Sequence, residues 1–402
     1  MLCPLAPESG SQKTVMHLPS SVRDSIYVLS VLPFAYYVCA TWAALRFFRR
    51  ERKRSRPEFT PKVSLLKPVR GTDFASYENF ASFCRQDYPD YEILFAVTDE
   101  TDQALSFIRR LMAEFPARRI RLFVGAPQLG ANNKVNKLVR LTQEADHEIL
   151  VMTDGDVRVG PQYLREVVAP FAEPSTGAVT SLYRAVAQPN LGAELEAVGA
   201  SSDFFAGVLI AEWMEGMSFA LGASVATTKT WLRKIGGLEP IANMLSDDYE
   251  IGNRIAQAGG KVVLSREPVW TMYPAQSPSG FWEHQVRWAR TVRLCRPLSY
   301  IGLLFTHGLP WAILAAAVAH TWAASVGFLG AYLLLRLSMA YIVGAWGVGD
   351  EVLRSRLYLV PLRDALNFII WLASFASNRI TWGGRVFATE HGHMVAVDAP
   401  SS

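Results

Sequence analysis

Two short apolar runs in this sequence end on aspartate. Residues 92–98 (EILFAVT) lead into Asp99, and residues 148–153 (EILVMT) lead into Asp154, Gly155 and Asp156. In an open parallel sheet, ligands bind just outside the carboxyl ends of the strands, so these carboxylates would face that crevice. An Asp-x-Asp there suits Mg²⁺ or Mn²⁺ on a diphosphate, because such a hard cation takes one or two carboxylates and leaves its other positions to phosphate and water. The same tripeptide also serves as a turn or a helix cap. No G-x-x-x-x-G-K-[ST] loop and no G-x-G-x-x-G after a strand is present, which removes the P-loop and dinucleotide readings and leaves a diphosphate site built around a metal.

Further along, residues 244–250 (MLSDDYE) precede a helical pattern with Ile251 and Ile255 on one face. Ser246 or Asp247 is expected to cap that helix, and Asp248 gains weight only beside the motif that follows. Residues 284–288 (HQVRW), followed by Arg290 and Arg293, make a basic and aromatic segment. By itself it reads as an interfacial amphipathic helix, with Trp288 at headgroup level and the arginines facing anionic lipid.

These residues need a scaffold, and residues 61–297 supply the alternation of a doubly wound α/β domain. Residues 63–67, 92–98, 121–124, 148–153 and 178–182 are short apolar runs suited to buried strands. Residues 101–115 carry Leu105, Ile108, Leu111, Met112 and Phe115 at spacings of three and four, which predicts a helix with one buried face.

The chain as a whole is too apolar for an ordinary soluble protein: 402 residues, 50% hydrophobic and 19% charged. With 40 basic and 36 acidic residues the net charge is +4, so no surplus of charge points to nucleic acid. Four cysteines without a C-x-x-C pair indicate neither a disulfide framework nor a zinc module. Residues 25–45 are 21 residues without a charge, enough for a helix across the hydrocarbon core. A cleaved signal peptide fits less well, because the run is long and is followed by RFFRRERKRSR. The eight basic residues from Arg46 to Lys62 mark a cytoplasmic flank. After Pro297, residues 299–349 are long enough for two spans broken near 323–330, and residues 358–377 form a third stretch. The expected organisation is a tail (1–24), a transmembrane anchor (25–48), a cytosolic catalytic domain (61–297), two to three C-terminal membrane helices (299–377) and a second tail (378–402). If all three C-terminal stretches span, that tail ends on the outer side.

Taken together, the motifs resemble the ceramide glucosyltransferase family of membrane glycosyltransferases, whose pattern is three separated aspartate motifs and then (Q/R)-x-x-R-W before C-terminal membrane helices. Asp99, Asp154 and Asp248 match the three aspartates, and Arg287-Trp288 the R-W pair. The likeness extends to residues 63–71 (VSLLKPVRG), 130–137 (GANNKVNK) and 380–385 (ITWGGR). Two departures stand out. His284 occupies the Gln/Arg position, with Gln285 displaced by one, and Asp156 completes an Asp-x-Asp that eukaryotic ceramide glucosyltransferases lack in this form.

The resemblance implies a GT-A fold, a Rossmann-like and mostly parallel sheet that binds a nucleotide sugar. It implies a UDP-sugar donor, expected to be UDP-glucose, a divalent cation, and inverting transfer to a membrane lipid. Asp99 would hold the uracil side. Asp154 and Asp156 would face ribose and metal, Asp248 would be the base, and Arg287 would stabilise the departing UDP, with Trp288 packing over the acceptor or donor. Lys134 and Gln285 would contact the donor, although Lys134 also reads as a solvated lysine at a helix start. Bacterial relatives that glycosylate hopanoids share the pattern, so ceramide and hopanoid both stay open as acceptor. N-acetylglucosaminyl transfer to a hopanoid, a processive polysaccharide synthase and a non-catalytic lipid-binding scaffold are the alternatives. Residues 204–214 would be either an interfacial helix at the acceptor entrance or buried core.

Overall fold

The computed structural model describes residues 19–55, 58–382, 385–390 and 393–396. Arg56 of the basic run, Gly383 and Gly384 of the tail motif, most of the first expected tail and part of the second lie outside the described residues. The chain opens with helix α1 (Ser20–Lys53), longer than the expected anchor at both ends. The basic run is therefore helical to Lys53. It is also partly engaged: Arg50 pairs with Glu212 at 2.8 Å, and Arg52 donates to the Trp346 carbonyl at 3.1 Å.

Eight strands follow: β1 (Val63–Pro68), β2 (Tyr91–Val97), β3 (Arg119–Val124), β4 (Ile149–Thr153), β5 (Val157–Arg158), β6 (Thr176–Ala187), β7 (Ser224–Thr228) and β8 (Lys261–Tyr273). They form one sheet in the order β3-β2-β1-β4-β7-β6-β8-β5. Between them run α2 (Ser76–Cys84), α3 (Ala104–Glu114), α4 (Asn133–Glu144), α5 (Tyr163–Val168), α6 (Leu191–Gly199), α7 (Phe205–Met214), α8 (Lys229–Lys234) and α9 (Asp247–Gln257). The expected mostly parallel α/β sheet is present. β3, β2, β1 and β4 are parallel neighbours, and β6 is parallel to β8. The sheet departs from pure double winding at β7, which runs antiparallel to both β4 and β6, and at β5, antiparallel to β8.

β1 and β2 are buried along their whole length, as strands covered by helices on both faces must be. In α3 the buried stripe is narrower than the spacing predicts. Leu105, Ile108 and Leu111 face the core, whereas Met112 is 40% exposed.

After β8, α10 (Pro278–Cys295) leads to α11 (Pro297–Gly302), α12 (Gly308–Val318), α13 (Trp322–Ala340, continued as a π-helix Tyr341–Val348), α14 (Glu351–Ser355) and α15 (Val360–Ser374). The break expected near residues 323–330 lies earlier, at 319–321, where the Thr321 hydroxyl accepts from Ala324 N at 3.2 Å and starts α13. Gly327 and Gly330 fall inside that helix. Among the described residues, three helices are long and apolar enough to cross a membrane, Ser20–Lys53, Trp322–Val348 and Leu357–Ser374. A fourth candidate is the pair Pro297–Phe305 and Gly308–Val318, bent by 40°. The single formal charge of α13 is paired. Arg336 meets Asp364 of α15 at 2.8 Å and donates to the Ser202 carbonyl at 3.1 Å. A small antiparallel sheet, β9 (Arg379–Trp382), β10 (Arg385–Glu390) and β11 (His393–Ala396), follows α15.

Candidate active site

The site forms at the carboxyl ends of β2, β1 and β4. These neighbours lie with β1 in the middle, so Asp99 after β2 and Asp154 after β4 stand two strand spacings apart on one edge. Chain order reverses between β1 and β4, which is where such sheets open a crevice.

At the end of β1, Lys67 is fully buried. Its ammonium donates to the Asp154 carbonyl at 2.7 Å and to Thr153 Oγ1 at 3.2 Å, which fixes the turn that carries the Asp-x-Asp. Burial pushes Lys67 down to about 7, against the pull of Asp156 and Asp154.

Residues 130–137 form the second wall. Asn132 is buried and caps α4: its Oδ1 accepts from Lys134 N at 3.0 Å and Val135 N at 3.2 Å, and its Nδ2 donates to the Met244 carbonyl at 3.1 Å. Gly130 permits this approach, since a Cβ there would lie 2.4 Å from the Ala242 carbonyl oxygen. The loop before α9 is thereby pinned to the start of α4.

Lys134 then reaches two carboxylates at once, 2.8 Å from Asp154 Oδ1 and 3.0 Å from Asp247 Oδ2. Burial opposes its charge, but Asp154, Asp247 and Asp248 outweigh it and hold the ammonium well above its ordinary value. Lys134 is thus no solvated lysine, and Asp247 is no cap. The N-cap residue of α9 is Ser246, which makes no side-chain cap bond. Asp248 follows on the same turn. A Cβ on Gly222 would stand 3.1 Å from Asp248 Oδ2 and 3.9 Å from Asp154 Oδ2, so both carboxylates converge on that glycine.

This charge is poorly balanced. Burial, with Asp154 and then Asp73, pushes Asp156 up to about 7, and burial with Asp247 pushes Asp248 to about 7, relieved in part by Lys134. Asp99 is exposed. Its Oδ1 accepts from Thr101 N at 2.9 Å and from the Thr101 hydroxyl, which holds it below its ordinary value. Among the described residues no group of three His, Cys, Asp or Glu side chains forms a ready cage for a metal. The donor set still fits a hard divalent cation. Asp154 and Asp156 offer carboxylate oxygens in a cluster short of positive charge, and such an ion draws its remaining ligands from phosphate and water.

α10 passes this cluster, with Cys295 Sγ 3.8 Å from Ser246 Oγ. Arg287 is half-buried, and no described side chain makes a hydrogen bond or ion pair with its guanidinium. Burial lowers its pKa below the ordinary value, opposed by Glu196. Trp288 is 46% exposed and meets Phe204 edge-on at 6.5 Å. Gln285, expected at the donor, is buried, and its amide oxygen accepts from Arg363 of α15. Two residues from Arg287, it lies on another face of the helix. His284, the departure in this motif, sits with Nδ1 2.8 Å from Glu196 Oε1, and Glu196 also receives Gln276. Arg290 and Arg293, expected to face lipid, donate to backbone carbonyls of Arg379 (2.8 Å) and Ser377 (3.1 Å) and so hold the chain beyond α15. The spacing of residue types does not reveal Lys67, Asn132, Asp247 or Glu196 as site residues, although Lys67 and Asn132 fall inside the matched motifs.

The sequence model of the family described as Glycosyl transferase family 21 matches residues 25–395. Among individual proteins, ceramide glucosyltransferase 3 of Caenorhabditis elegans is 24% identical over 273 residues, and ceramide glucosyltransferase 1 of the same animal 22% over 266. Each match covers 66% of this chain, and 59% and 55% of the relatives' own lengths. A ceramide glucosyltransferase of Komagataella phaffii is 28% identical over 160 residues, 39% of this chain and 30% of its own. Among solved structures, the mannosyltransferase PcManGT from Pyrobaculum calidifontis, in complex with GDP-Man and Mn²⁺, is similar with a TM-score of 0.48. Its identity is 20%, over 85% of this chain and 99% of that one.

Proposed function

The chain belongs to glycosyl transferase family 21, and from that premise we propose that it is an inverting enzyme that moves glucose from UDP-glucose to the hydroxyl of a ceramide, working on the cytoplasmic face of a membrane. The observation that carries this reading is the junction of Asp154, Lys134 and Asp247, flanked by Asp156 and Asp248, where carboxylates outnumber cations at the mouth of a parallel sheet. The ceramide glucosyltransferase relatives support the choice of sugar and acceptor. The basic end of α1 supports the cytoplasmic face.

Asp99 would hold the uracil side of the donor. Asp154 and Asp156 would hold Mg²⁺ or Mn²⁺, which when bound neutralises the diphosphate. Lys134, released from its carboxylates, carries a positive charge within reach of the same phosphates. Asp248, in the ionised form that a value of about 7 leaves partly populated at neutral pH, takes the proton of the acceptor hydroxyl as that oxygen bonds to the anomeric carbon. The bond from that carbon to the diphosphate oxygen breaks on the opposite side, its electron pair leaves with UDP, and the configuration inverts. Arg287, unpaired and partly shielded from water, offsets the charge gathering on the leaving UDP.

The test is transfer by the purified protein with Mg²⁺ or Mn²⁺, crossing UDP-glucose and UDP-N-acetylglucosamine with ceramide and a hydroxylated hopanoid, and weighing the lipid products. Glucosylceramide is expected. An N-acetylglucosaminyl hopanoid would move both sugar and acceptor, and no product from any pair would overturn the reading.

A further inference from the structure

α1 serves as a ruler of depth for the helices packed on it. Tyr27 stacks on Phe328 at 5.3 Å, Ser30 Oγ donates to the Trp311 carbonyl at 3.2 Å, Tyr37 OH accepts from Gly308 N at 2.9 Å, and Phe48 meets Trp346 at 6.2 Å. α12 therefore climbs from the level of Tyr37 toward the N-terminal end of α1. α13 and its π-helical continuation descend from the level of Tyr27, past Arg336 over the Tyr37 ring at 5.8 Å, to Phe48. Both travel along the ruler, as membrane-crossing segments do.

α15 does not. Near its start, Asp364 binds Arg336 and so sits at the level of Tyr37. Seven residues later, Trp371 packs on His307 at 6.0 Å, next to Gly308 and so again at the level of Tyr37. Seven residues of helix measure about 10 Å, and over that length the depth does not change. Both ends of α15 also touch α10. Arg363 donates to Gln285, and Phe375 lies under Arg293 at 5.4 Å. α10 and α15 thus lie side by side, and α10 is bound to the catalytic domain through Glu196 and Ser246.

We propose that α15 lies in the plane of the bilayer and does not cross, on the side that adjoins the catalytic domain, whose α7 packs on α1 from the level of Tyr36 to that of Arg50, with the lipid of that leaflet as its partner. Its polar residues Arg363 and Asp364 are buried against protein, while Leu362, Ile369 and Leu372, spaced by seven and three, form an exposed apolar stripe. Continuity with the crossing helices α12 and α13, which pack on its other side, puts that stripe against lipid. Residues 377–379, held by Arg290 and Arg293, then return to the catalytic side. Three crossings remain, α1, the bent Pro297–Val318 segment and Trp322–Val348, and the second tail does not end on the outer side. Trp288, on the adjoining α10, lies at the same lipid surface, so an acceptor hydroxyl in that leaflet approaches Arg287 without leaving it. This inference rests on the reading of the chain as membrane-embedded.

The experiment places single cysteines for Leu362, Ile369 and Leu372, in protein freed of its own cysteines, spin-labels them in phosphatidylcholine–phosphatidylglycerol vesicles, and measures depth from collisions with oxygen and a water-soluble nickel chelate. An in-plane helix gives three depths that agree within about 3 Å, whereas a crossing helix separates positions 362 and 372 by about 15 Å, which would overturn the proposal. A protease-sensitive tag after Ser402 gives a second readout in sealed vesicles. It is expected to be cut on the same side as the catalytic domain, and cleavage on the side of the N-terminus would refute the proposal. Release of the protein by carbonate would instead overturn the membrane reading beneath it.

Discussion

Lys134 and Asp154 meet at 2.8 Å, joining the first turn of α4 to the end of β4, and the same ammonium reaches Asp247 at 3.0 Å. One lysine is the shared counter-charge of two separate sequence motifs. Lys134→Met would leave these carboxylates facing one another. The metal-free protein is expected to lose about 1–3 kcal/mol, below the cost of stranding a fully buried charge because the side chain is partly exposed. Mn²⁺ should then raise the melting temperature of the variant more than that of the wild type. Equal Mn²⁺ shifts in both would show that Lys134 does not share the cation's place.

The pH dependence of the metal-free protein has a defined sign. Asp156 and Asp248 stand at about 7 in the folded chain, against roughly 3.9 when unfolded. A raised carboxyl value favours the folded state when protonated, so this contribution is fully present below about pH 3.9 and is lost as the pH rises through about 7. Lys67, lowered to about 7, changes its contribution only above that pH. Melting temperature should therefore fall between about pH 5 and pH 7, and Asp156→Asn should flatten the fall. A rise over that interval would reverse the assignment.

Gly222 bears on the position of Asp248, the proposed base. A methyl group there would stand 3.1 Å from Asp248 Oδ2, closer than an ordinary contact. Gly222→Ala is expected to reduce kcat by about 10-fold through a displaced carboxylate, with the melting temperature and the KM for donor little changed. Kinetics and a melting curve on the same preparation separate these effects.

Arg336 and Asp364 make a buried pair with 2.8 Å between them, supported by Tyr332 OH on the same carboxylate at 2.8 Å. Asp364→Ala strands the guanidinium and should cost about 3–5 kcal/mol, read as loss of yield and of melting temperature in detergent. Changing both residues to leucine should recover most of that loss, because no charge is then left without a partner.

Much of the site is legible in the sequence, because strands that end in aspartate leave a linear trace. Asp99, Asp154 and Asp156 are the residues that rule points to, and Asp248 is singled out only by its place in the family pattern. Lys134 and Asp247 read as bland surface residues when taken one at a time, since their role exists only once α4 and α9 meet across Asn132. β7 (SVATT) has no run of large apolar residues to announce a strand, and the reversal it brings to the sheet is a tertiary fact. Gly327 and Gly330 suggest a break by composition. Packing keeps them inside α13, while Thr321 supplies the cap that starts the helix. Gln285 sits one position from the family pattern, and only the presence of Arg363 beside it shows which way it faces.

The central claim is that Asp248 is the base. Asp248→Asn keeps its size while removing its basicity, and the decisive measurement is the rate of glucosyl transfer alongside UDP affinity in that one variant. Transfer slower by about 10²–10⁴-fold, with UDP affinity within about threefold of the wild type, is the predicted result; transfer at close to the wild-type rate would contradict it.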